Sequence, residues 1–552
     1  MTQAVSSPSH LASETEPTPQ QQESPVTLLR DVRVPNGQRI VFIAGLLAFG
    51  ALLWAARGVQ FYQGEWQFVT SSPSAASVPS LIYRALLEGF SLRTHLPEEV
   101  VLLAEHVVAT VLLFRVVRRR SGDLLALGAA GLLLVLGWGS ASIVSCCAGQ
   151  YVGSVVFGLI AFDLLDSRAG FSWRIPAAAV ALVLSLGCSA LGLAFVAAVA
   201  VQVLLEPDRL RRSLAPLIPA AASAAWFAVA GRYLPFGVNP LSGPGFALLA
   251  GFTGYGVASA GTAAAGFGSQ LSGWPVLVSL VVIVGLAAFG SWRRLDSRVL
   301  SALAGLGVTF ITAGLAQQAT LERNEAGANR YVYVAVTLLV LLITAAVARL
   351  RWRPLVVFAV VAFSCIGIIG NAGAFRAWLT FYDNRTALEN VALRTVNAIR
   401  LAPDLDRKAP VDRVYAPGIH VGSFFTAERT FGAPVPPGGS LAGLAAAHGL
   451  VVDDVLRQVL ASGLRLTAGP GASSCKPTGT RSFQVASGTS RTLYVLGEGT
   501  MTLSLGWAAD PMPAATYRVE AGLWTLHVPN VGVTGFKWRV VIASATAGLS
   551  AC

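Results

Sequence analysis

The chain has 552 residues, of which 54% are hydrophobic and 12% are charged, and its mean hydropathy is +0.62. Soluble domains carry about 25% charged residues, so this composition argues against a soluble protein and predicts an integral membrane protein. The net charge of +12 comes almost entirely from arginines in short loops between apolar runs, a pattern that favours membrane orientation and anionic lipid over nucleic-acid binding.

Residues 1–38 are predicted to form a disordered cytoplasmic tail, because Ser, Pro, Gln, Thr and Glu dominate its first thirty positions. Residues 39–372 are predicted to form an all-α polytopic membrane domain, since apolar runs of about 16 to 20 residues can cross a bilayer core of about 30 Å. The fifth run is interrupted at 187–189, so two short helices are expected there and about eleven membrane-spanning helices in all. The runs are Ile40–Ala56, Val100–Val117, Leu124–Ser140, Tyr151–Leu165, Pro176–Leu205, Leu214–Gly231, Pro275–Trp292, Val299–Ala316, Tyr331–Ala348 and Leu355–Gly370.

The arginines predict the orientation. If the N-terminus is cytoplasmic, five short loops lie inside and together hold fifteen arginines, whereas the longer loops between them hold far fewer. This asymmetry follows the positive-inside rule and predicts a multi-pass protein of the bacterial cell membrane with an extracytoplasmic C-terminal domain. The Gly/Ala-rich stretch 245–268 would invert every later loop if it crossed, so an interfacial or re-entrant helix is expected there. The five inside loops are 115–120, 168–174, 208–212, 293–298 and 349–353.

The composition changes after Gly370. Residues 373–462 are expected to form a membrane-proximal segment of helices and mixed structure, with amphipathic helices at 384–400 and 441–460. Residues 463–552 contain short alternating runs, such as TLYVLG and KWRVVIAS, between Gly, Pro and Ser turns. This pattern predicts a β-sandwich, so the expected fold class is an all-α membrane domain followed by an α+β or β-sandwich domain outside the cytoplasm.

Cys475 and Cys552 both belong to this C-terminal domain. They could form a disulfide if the domain lies in an oxidising compartment, although a terminal cysteine could equally remain unpaired. The sequence contains no P-loop, no dinucleotide-binding glycine motif and no Cys/His spacing typical of zinc or haem. Neither a nucleotide nor haem is therefore expected, while a divalent cation is compatible with the acidic residues.

Glu65 could act as a general base or bind a cation at the membrane surface. The alternative is a solvated loop glutamate beside an interfacial tryptophan, Trp66. Glu105 and His106 lie within the outer half of the second apolar run, where ionisable groups are costly and face the protein interior or a wet cavity. They either line a polar cavity or hold neighbouring helices together.

Further candidates for substrate binding lie at the outer ends of later helices. Gln150 and Tyr151 begin the fourth apolar run, and Arg323, Arg330 and Tyr331 lie around the start of the ninth. An arginine at the outer interface can hold a phosphate through two hydrogen bonds, or it can extend toward lipid headgroups.

Four motifs resemble those of GT-C-type membrane glycosyltransferases, in particular an uncharacterised bacterial branch with a C-terminal β domain. They are YQGEWQF around Glu65, SLIYRALLEGFSLRTHLP before the second helix, GQYVGSVVFGLIAFDLL in the fourth, and ANRYVYV at residues 328–334. The resemblance implies an enzyme that transfers a sugar from a polyprenyl-phosphate donor to an envelope glycan on the outer face of the membrane. It also implies that Glu65 is the base and that Arg323 or Arg330 holds the donor phosphate.

One departure from that family bears on the chemistry. Relatives carry a cluster of His, Asn, Glu, His and Trp residues between the acidic motif and the YRALL segment, but here the stretch is SSPSAAS, residues 71–77. A non-catalytic scaffold or glycan-binding partner in envelope biogenesis is therefore the main alternative, because fold is inherited more readily than chemistry. A transporter is a third hypothesis, favoured by broken helices.

Overall fold

The computed structural model describes most of the chain. Its described residues are 28–31, 33–57, 61, 65–66, 69, 77–145, 149–166, 173–230, 243–268, 296–316, 326–348, 350, 353–432, 440–469, 481–544 and 549–551. The α-helices in these residues are α1 Gly37–Ala56, α2 Val78–Phe90, α3 Leu96–Ser121, α4 Asp123–Leu134, α5 Ser140–Val144, α6 Gly149–Leu165, α7 Arg174–Cys188, α8 Gly192–Leu205, α9 Arg209–Arg212, α10 Leu214–Ala230, α11 Gly243–Ala264, α12 Ser297–Ala316, α13 Asn329–Val347, α14 Pro354–Ala398, α15 Val421–Phe431 and α16 Leu441–Val459.

Five of the described helices, α1, α3, α12, α13 and α14, are long and apolar enough to cross a membrane. A sixth candidate is the pair formed by α4 and the segment Gly137–Val144, which are bent by 49° relative to each other. Helices α6, α7 and α8 are apolar but shorter. The predicted run 275–292 lies outside the described residues, and the predicted total of about eleven crossings stays a prediction.

The interruption predicted in the fifth apolar run is confirmed. Helix α7 ends at Cys188 and α8 begins at Gly192. A Cβ atom at Gly192 would lie 2.5 Å from the carbonyl carbon and oxygen of Ser185, so only glycine fits this break without displacement. Ser185 also joins α7 to α6, because the hydroxyl groups of Ser154 and Ser185 each donate to the other residue's carbonyl oxygen at 2.8 Å.

The stretch predicted to be interfacial or re-entrant forms α11. Its second half packs against α12, α13 and α14, and a Cβ atom at Gly256 would lie 2.2 Å from the ring of Phe310. The end of α11 is held by Asn371, whose side-chain amide donates to the carbonyl oxygen of Ala263 at 2.8 Å. Small residues therefore bring α11 into close backbone contact with the bundle, as at helix interfaces within membranes.

The tail predicted over residues 1–38 needs one correction. The backbone amide of Leu29 donates to the carbonyl oxygen of Leu350 at 3.1 Å, and that of Arg30 donates to Ala348 at 3.2 Å. The side chain of Leu29 is fully buried. Apolar burial and two backbone hydrogen bonds therefore fix residues 28–31 beside the end of α13. Residues 33–38 are also described, with 37–38 forming the start of α1, and residues 1–27 and 32 lie outside the described residues.

Helix α14 is continuous over 45 residues, from Pro354 to Ala398. At 1.5 Å per residue its length is about 67 Å, more than twice the thickness of a bilayer core. The amphipathic helix predicted at 384–400 is the end of this same helix, and the domain boundary predicted at residue 372 falls inside it. The helix connects the apolar bundle to the C-terminal region without a loop.

The C-terminal region combines two helices, a small hairpin and two sheets. The sheets are four-stranded and antiparallel, with strand orders β10-β5-β8-β3 and β4-β9-β6-β7. Alternate side chains such as Leu503 and Ile542, which are directly paired, point into one shared core, so the strands lie where the alternating runs predict them. The strands are β1 Pro410–Asp412, β2 Ala416–His420, β3 Arg465–Ala468, β4 Ser482–Ala486, β5 Ser490–Val495, β6 Gly499–Gly506, β7 Met512–Val519, β8 Gly522–His527, β9 Lys537–Ser544 and β10 Leu549–Ala551.

A network of ion pairs marks one end of the bundle. Arg120, at the end of α3, contacts Asp166 after α6, Glu206 after α8 and Asp296 before α12. Asp166 also pairs with the buried guanidinium group of Arg298. These residues lie in or beside four of the five predicted inside loops, and the backbone pairing of residues 29–30 with 348–350 lies at the same end.

The opposite end of the bundle meets the C-terminal region. Phe61, Trp66 and Leu92, from the segment between α1 and α3, belong to the same hydrophobic core as the β-sheets and α15. The backbone amide of Leu92 donates to the carbonyl oxygen of Phe431, at the end of α15, at 2.9 Å. The described residues of the segment predicted as the first outside loop, 61, 65–66, 69 and 77–95, thus form a packed connector between the bundle and the C-terminal region.

Candidate functional site

A cluster of buried ionisable residues lies where the bundle meets this connector. Nε2 of His95 is 3.3 Å from Oε2 of Glu65, and its Nδ1 is 3.3 Å from Oε1 of Glu99. Glu98 adds a third carboxylate, whose charge interacts with all three neighbours. We call Glu65, His95, Glu98 and Glu99 the acid cluster.

The local sequence explains how these side chains come together. His95 immediately precedes α3, and its carbonyl oxygen accepts a hydrogen bond from the amide of Glu99 at 3.1 Å. Pro97 suits the first turn of a helix because the missing N–H has no partner there. Glu98 and Glu99 lie in the same turn, where the helix dipole favours negative charge. His95 and the first turn of α3 therefore supply three of the four members, and Glu65 of the connector contacts His95.

Burial makes the electrostatics of the cluster unusual. The exposed fractions of Glu65, His95, Glu98 and Glu99 are 1%, 6%, 2% and 3%. Buried carboxylates require a compensating charge or proton. Three carboxyl groups and one imidazole therefore share a site that has almost no contact with solvent.

Trp66 fixes the position of Glu65. It is 1% exposed, and its ring packs against Phe424 of α15 at a centroid distance of 5.8 Å and against Phe61 at 6.0 Å. Phe61 in turn contacts the ring of His95 edge-on at 4.8 Å. The alternative of a solvated glutamate beside an interfacial tryptophan is therefore wrong, because both side chains are inside the protein.

A narrow groove lies beside the acid cluster, between α2, α3 and the start of α6. Its volume is about 40 Å³, and its lining includes Tyr83, Glu98, Glu105 and Gly149. Neither carboxylate oxygen of Glu98 accepts a hydrogen bond from another described residue. A Cβ atom at Gly149 would lie 3.3 Å from Cδ1 of Leu102, so glycine allows α6 to approach α3 closely beside the groove. Glu65 is not among the residues that line the groove.

Glu105 and His106 have different roles in the structure, although they are adjacent in the sequence. The Nε2 of His106 lies 3.2 Å from the carbonyl oxygen of Leu134, and its Nδ1 lies 2.9 Å from the hydroxyl group of Tyr333. Because a carbonyl oxygen only accepts, we assign the proton to Nε2 and the donated hydrogen bond at Nδ1 to Tyr333. His106 is fully buried and joins α3, α4 and α13, whereas Glu105 faces the groove.

Four of the remaining predicted site residues lie at the starts of α6 and α13. Gln150 and Tyr151 lie half-buried in the first turn of α6, next to the groove residue Gly149. Arg330 is exposed at the start of α13, with its guanidinium carbon 4.9 Å from the ring centroid of Tyr331, which is 8% exposed. Arg323, Cys475 and Cys552 lie outside the described residues, so the phosphate and disulfide assignments for them stay predictions.

Three members of the acid cluster, His95, Glu98 and Glu99, were not identified from the sequence. The signal was the run HLPEE, residues 95–99, in which three ionisable residues directly precede an apolar helix. Acidic residues in a first helical turn are common for dipole reasons alone, so this run does not by itself indicate a site. Their shared burial with Glu65 depends on the path of the connector, which the sequence pattern does not determine.

Within the described part of the chain, no group of three or more His, Cys, Asp or Glu side chains has the arrangement needed to hold a metal ion. Comparison of the chain with protein-family models, with curated proteins and with solved structures finds no match. A functional assignment therefore rests on the residues of the site and on the motifs around them.

Proposed function

We propose that the chain is a membrane glycosyltransferase that takes a sugar from a polyprenyl-phosphate donor and transfers it to an envelope acceptor. In this proposal about eleven helices cross the bacterial cell membrane, the arginine end of the bundle is cytoplasmic, and the acid cluster and C-terminal domain lie outside. The convergence of four predicted inside loops in one ion-pair network supports this orientation. The observation that carries the function is the acid cluster beside a groove at the opposite end.

Sugar transfer from a phosphate leaving group benefits from a base that removes the proton of the acceptor hydroxyl. Glu98 is the carboxylate best placed for this step, because it belongs to the acid cluster and also lines the groove. His95 connects it electrostatically to Glu65 and Glu99, so a proton taken up by Glu98 can be shared within the cluster. Glu65, the candidate from the sequence, then acts through His95 as a positioning residue.

The donor requires a cation for its phosphate and a route for its lipid. Arg330 is exposed at the start of α13, and its stacking on Tyr331 keeps the guanidinium group near this end of the bundle. Glu105 and Gly149, on neighbouring helices, line the groove together with Glu98. A volume of about 40 Å³ holds about one water molecule, so the sugar would bind at the opening of the groove, with its anomeric carbon near Glu98 and the isoprenoid chain in contact with the apolar helices.

Transfer in membranes supplied with lipid-linked sugar tests the proposal. Glu98→Gln should lower the transfer rate by about 10²- to 10⁴-fold, the usual contribution of a general base, while donor binding is retained. Arg330→Ala should instead weaken donor binding. Glu88→Gln is the matched control, because Glu88 is exposed on α2 and pairs only at the surface with Arg84. A Glu98→Gln protein that folds and transfers sugar at the wild-type rate would refute this role.

A non-catalytic scaffold is the second candidate, and a specific observation favours it. Glu65 and Trp66 are each 1% exposed, and their contacts with His95 and Phe424 tie the connector to the bundle and the C-terminal region. This arrangement would also serve a purely structural role. Under the scaffold hypothesis, Glu98→Gln and Arg330→Ala leave envelope glycan composition unchanged in cells, whereas Trp66→Ala alters assembly by separating the two regions.

A further inference from the structure

A second, larger groove opens on the C-terminal region. Its volume is about 660 Å³, and it is bordered by α15, the residues that precede β1, and Val69 of the connector. Its charged and titratable lining consists of Arg407, Lys408, His420 and Arg429. We call it the basic groove.

The cations of the basic groove make no ion pair within the described residues, and the one carboxylate that contacts this segment, that of Asp406, accepts from the backbone amide of Lys408 at 2.8 Å. Arg407, Lys408 and Arg429 are exposed, and no ion pair joins any of them to another residue in the described part of the chain. The arginines at the opposite end of the bundle are paired instead: Arg120, for example, contacts three carboxylates. Three unpaired cations around one groove produce a local positive potential that attracts an anion.

Hydroxyl groups of α15 also line the basic groove. The hydroxyl group of Thr426 donates to the carbonyl oxygen of Gly422, and the hydroxyl group of Thr430 donates to the carbonyl oxygen of Thr426, each at 2.9 Å. Because each proton is already used, these hydroxyl groups can only accept further hydrogen bonds, and Oγ1 of Thr426 already accepts one from Nη2 of Arg429 at 3.4 Å. The amide of Gly422 is also occupied, since it donates to the carbonyl oxygen of Arg407 at 2.8 Å. The amide of Gly422, in the first turn of α15, is therefore not available to bind an anion.

An apolar edge completes the groove, formed by Val69 and the half-buried ring of Phe431. The groove thus offers charged donors for carboxylate or phosphate groups, acceptors for hydroxyl groups and an aromatic surface for an apolar face. A saccharide that carries acidic groups presents all three features, and a volume of about 660 Å³ accommodates a short oligosaccharide. A peptide of acidic residues lacks the hydroxyl groups that the threonine oxygens would accept.

We propose that the basic groove binds an acidic saccharide segment of an envelope polymer. The proposal names the acceptor class for the transferase, and to that extent it rests on the proposed function. Binding is nevertheless measurable without transfer. If transfer is absent and acidic saccharide binds, the glycan-binding scaffold is the function, and if transfer occurs without such binding, only the groove assignment fails.

The experiment uses the full chain in nanodiscs of phosphatidylcholine and measures the binding of tetragalacturonate by calorimetry at 50 and 300 mM NaCl. The variant Arg407→Gln/Lys408→Gln/Arg429→Gln should bind at least tenfold more weakly than wild type at low salt. The matched control is Arg413→Gln/Arg465→Gln/Lys537→Gln, which removes the same charge from exposed positions elsewhere in the C-terminal region. Its affinity should change less than twofold.

Three further probes separate the possible ligands. Neutral maltotetraose should bind at least tenfold more weakly than tetragalacturonate, and so should the tetrapeptide of glutamate. Thr426→Val/Thr430→Val should weaken the binding of tetragalacturonate severalfold while leaving that of the peptide unchanged. The proposal would be overturned if the peptide bound as tightly as the saccharide, or if both triple variants lost the same affinity for tetragalacturonate. Binding of the protein only to vesicles containing phosphatidylglycerol would overturn it as well.

Discussion

The side-chain oxygen of Asn371 accepts a hydrogen bond from the backbone amide of Gly137 at 3.1 Å. The side-chain nitrogen of Asn371 donates to the carbonyl oxygens of Ala263 and Gly367 at 2.8 and 2.9 Å. One fully buried side chain in α14 therefore connects the turn after α4 with the end of α11. These are places where helical backbone groups lack partners within their own helix.

Asn371→Ala should destabilise the bundle, because it leaves the buried backbone amide of Gly137 without its acceptor, whereas the carbonyl oxygen of Ala263 retains a hydrogen bond from the amide of Gly266. An unsatisfied buried group costs about 1–3 kcal/mol. Thermal unfolding in detergent measures the loss, and Asn384→Ala is the control because Asn384 is exposed on the same helix. A variant at position 371 that is as stable as the control would show that water or a backbone shift replaces the hydrogen bonds.

Asp166→Asn should destabilise the arginine end more than the double variant Asp166→Leu/Arg298→Leu does. Arg298 is 2% exposed and packs on Phe162, with its guanidinium carbon 4.1 Å from the ring centroid. Removing one partner of a buried ion pair costs about 3–5 kcal/mol, whereas replacing both with apolar residues is often tolerated. Chemical unfolding of wild type and the two variants gives the loss in free energy of unfolding for each variant. Equal losses for the single and double variants would contradict this expectation.

The same pair predicts a dependence on pH. Burial opposes ionisation of Asp166, but Arg298 and Arg120 outweigh it and hold the pKa of this carboxyl below its usual value. The stabilisation is therefore present above the unfolded pKa of about 3.9 and is lost as the pH falls through the lower, folded pKa. The melting temperature of wild type should exceed that of Asp166→Asn from pH 7 downward, and the difference should disappear only near pH 3. An advantage that disappears above pH 5 would be inconsistent with this assignment.

Gly192→Ala should destabilise the break between α7 and α8, since a Cβ atom there would overlap the carbonyl group of Ser185. Overpacking of this kind costs about 1–3 kcal/mol. Gly307→Ala in α12 is the matched control, because a Cβ atom at that position meets nothing within 4 Å. Thermal stability in detergent distinguishes them, and equal melting temperatures would show that the break relaxes without cost.

Reporter fusions test the proposed orientation. Fusions after Arg120, Arg212 and Arg353 should report the cytoplasm, and fusions after Gly327 and Gly488 should report the outside, because the arginine end is retained inside. The activity of a periplasmic or extracellular reporter gives the result directly. A cytoplasmic signal at Gly488 would place both the acid cluster and the basic groove on the wrong side for the proposed chemistry.

The sequence predicts the parts of this fold that depend on local pattern. The break at 187–189 follows from an apolar run too long for one helix, and the strands follow from alternation. The continuity of α14 was not predicted, because the change in composition after Gly370 reports a change of environment while the helical hydrogen bonds continue through it. Glu65 was identified, but its partner His95 was not, since their contact depends on how the connector packs against α15.

The uninterrupted α14 has a mechanical consequence for the C-terminal region. A flexible linker would absorb a change in bilayer thickness, but a continuous helix of about 67 Å responds to such a mismatch mainly by tilting as one body. The sheets packed around its far end would then swing sideways through a larger arc than the membrane-embedded half. In the proposed setting, the lipid composition of the membrane would thus set the height and lateral position at which the basic groove meets its polymer.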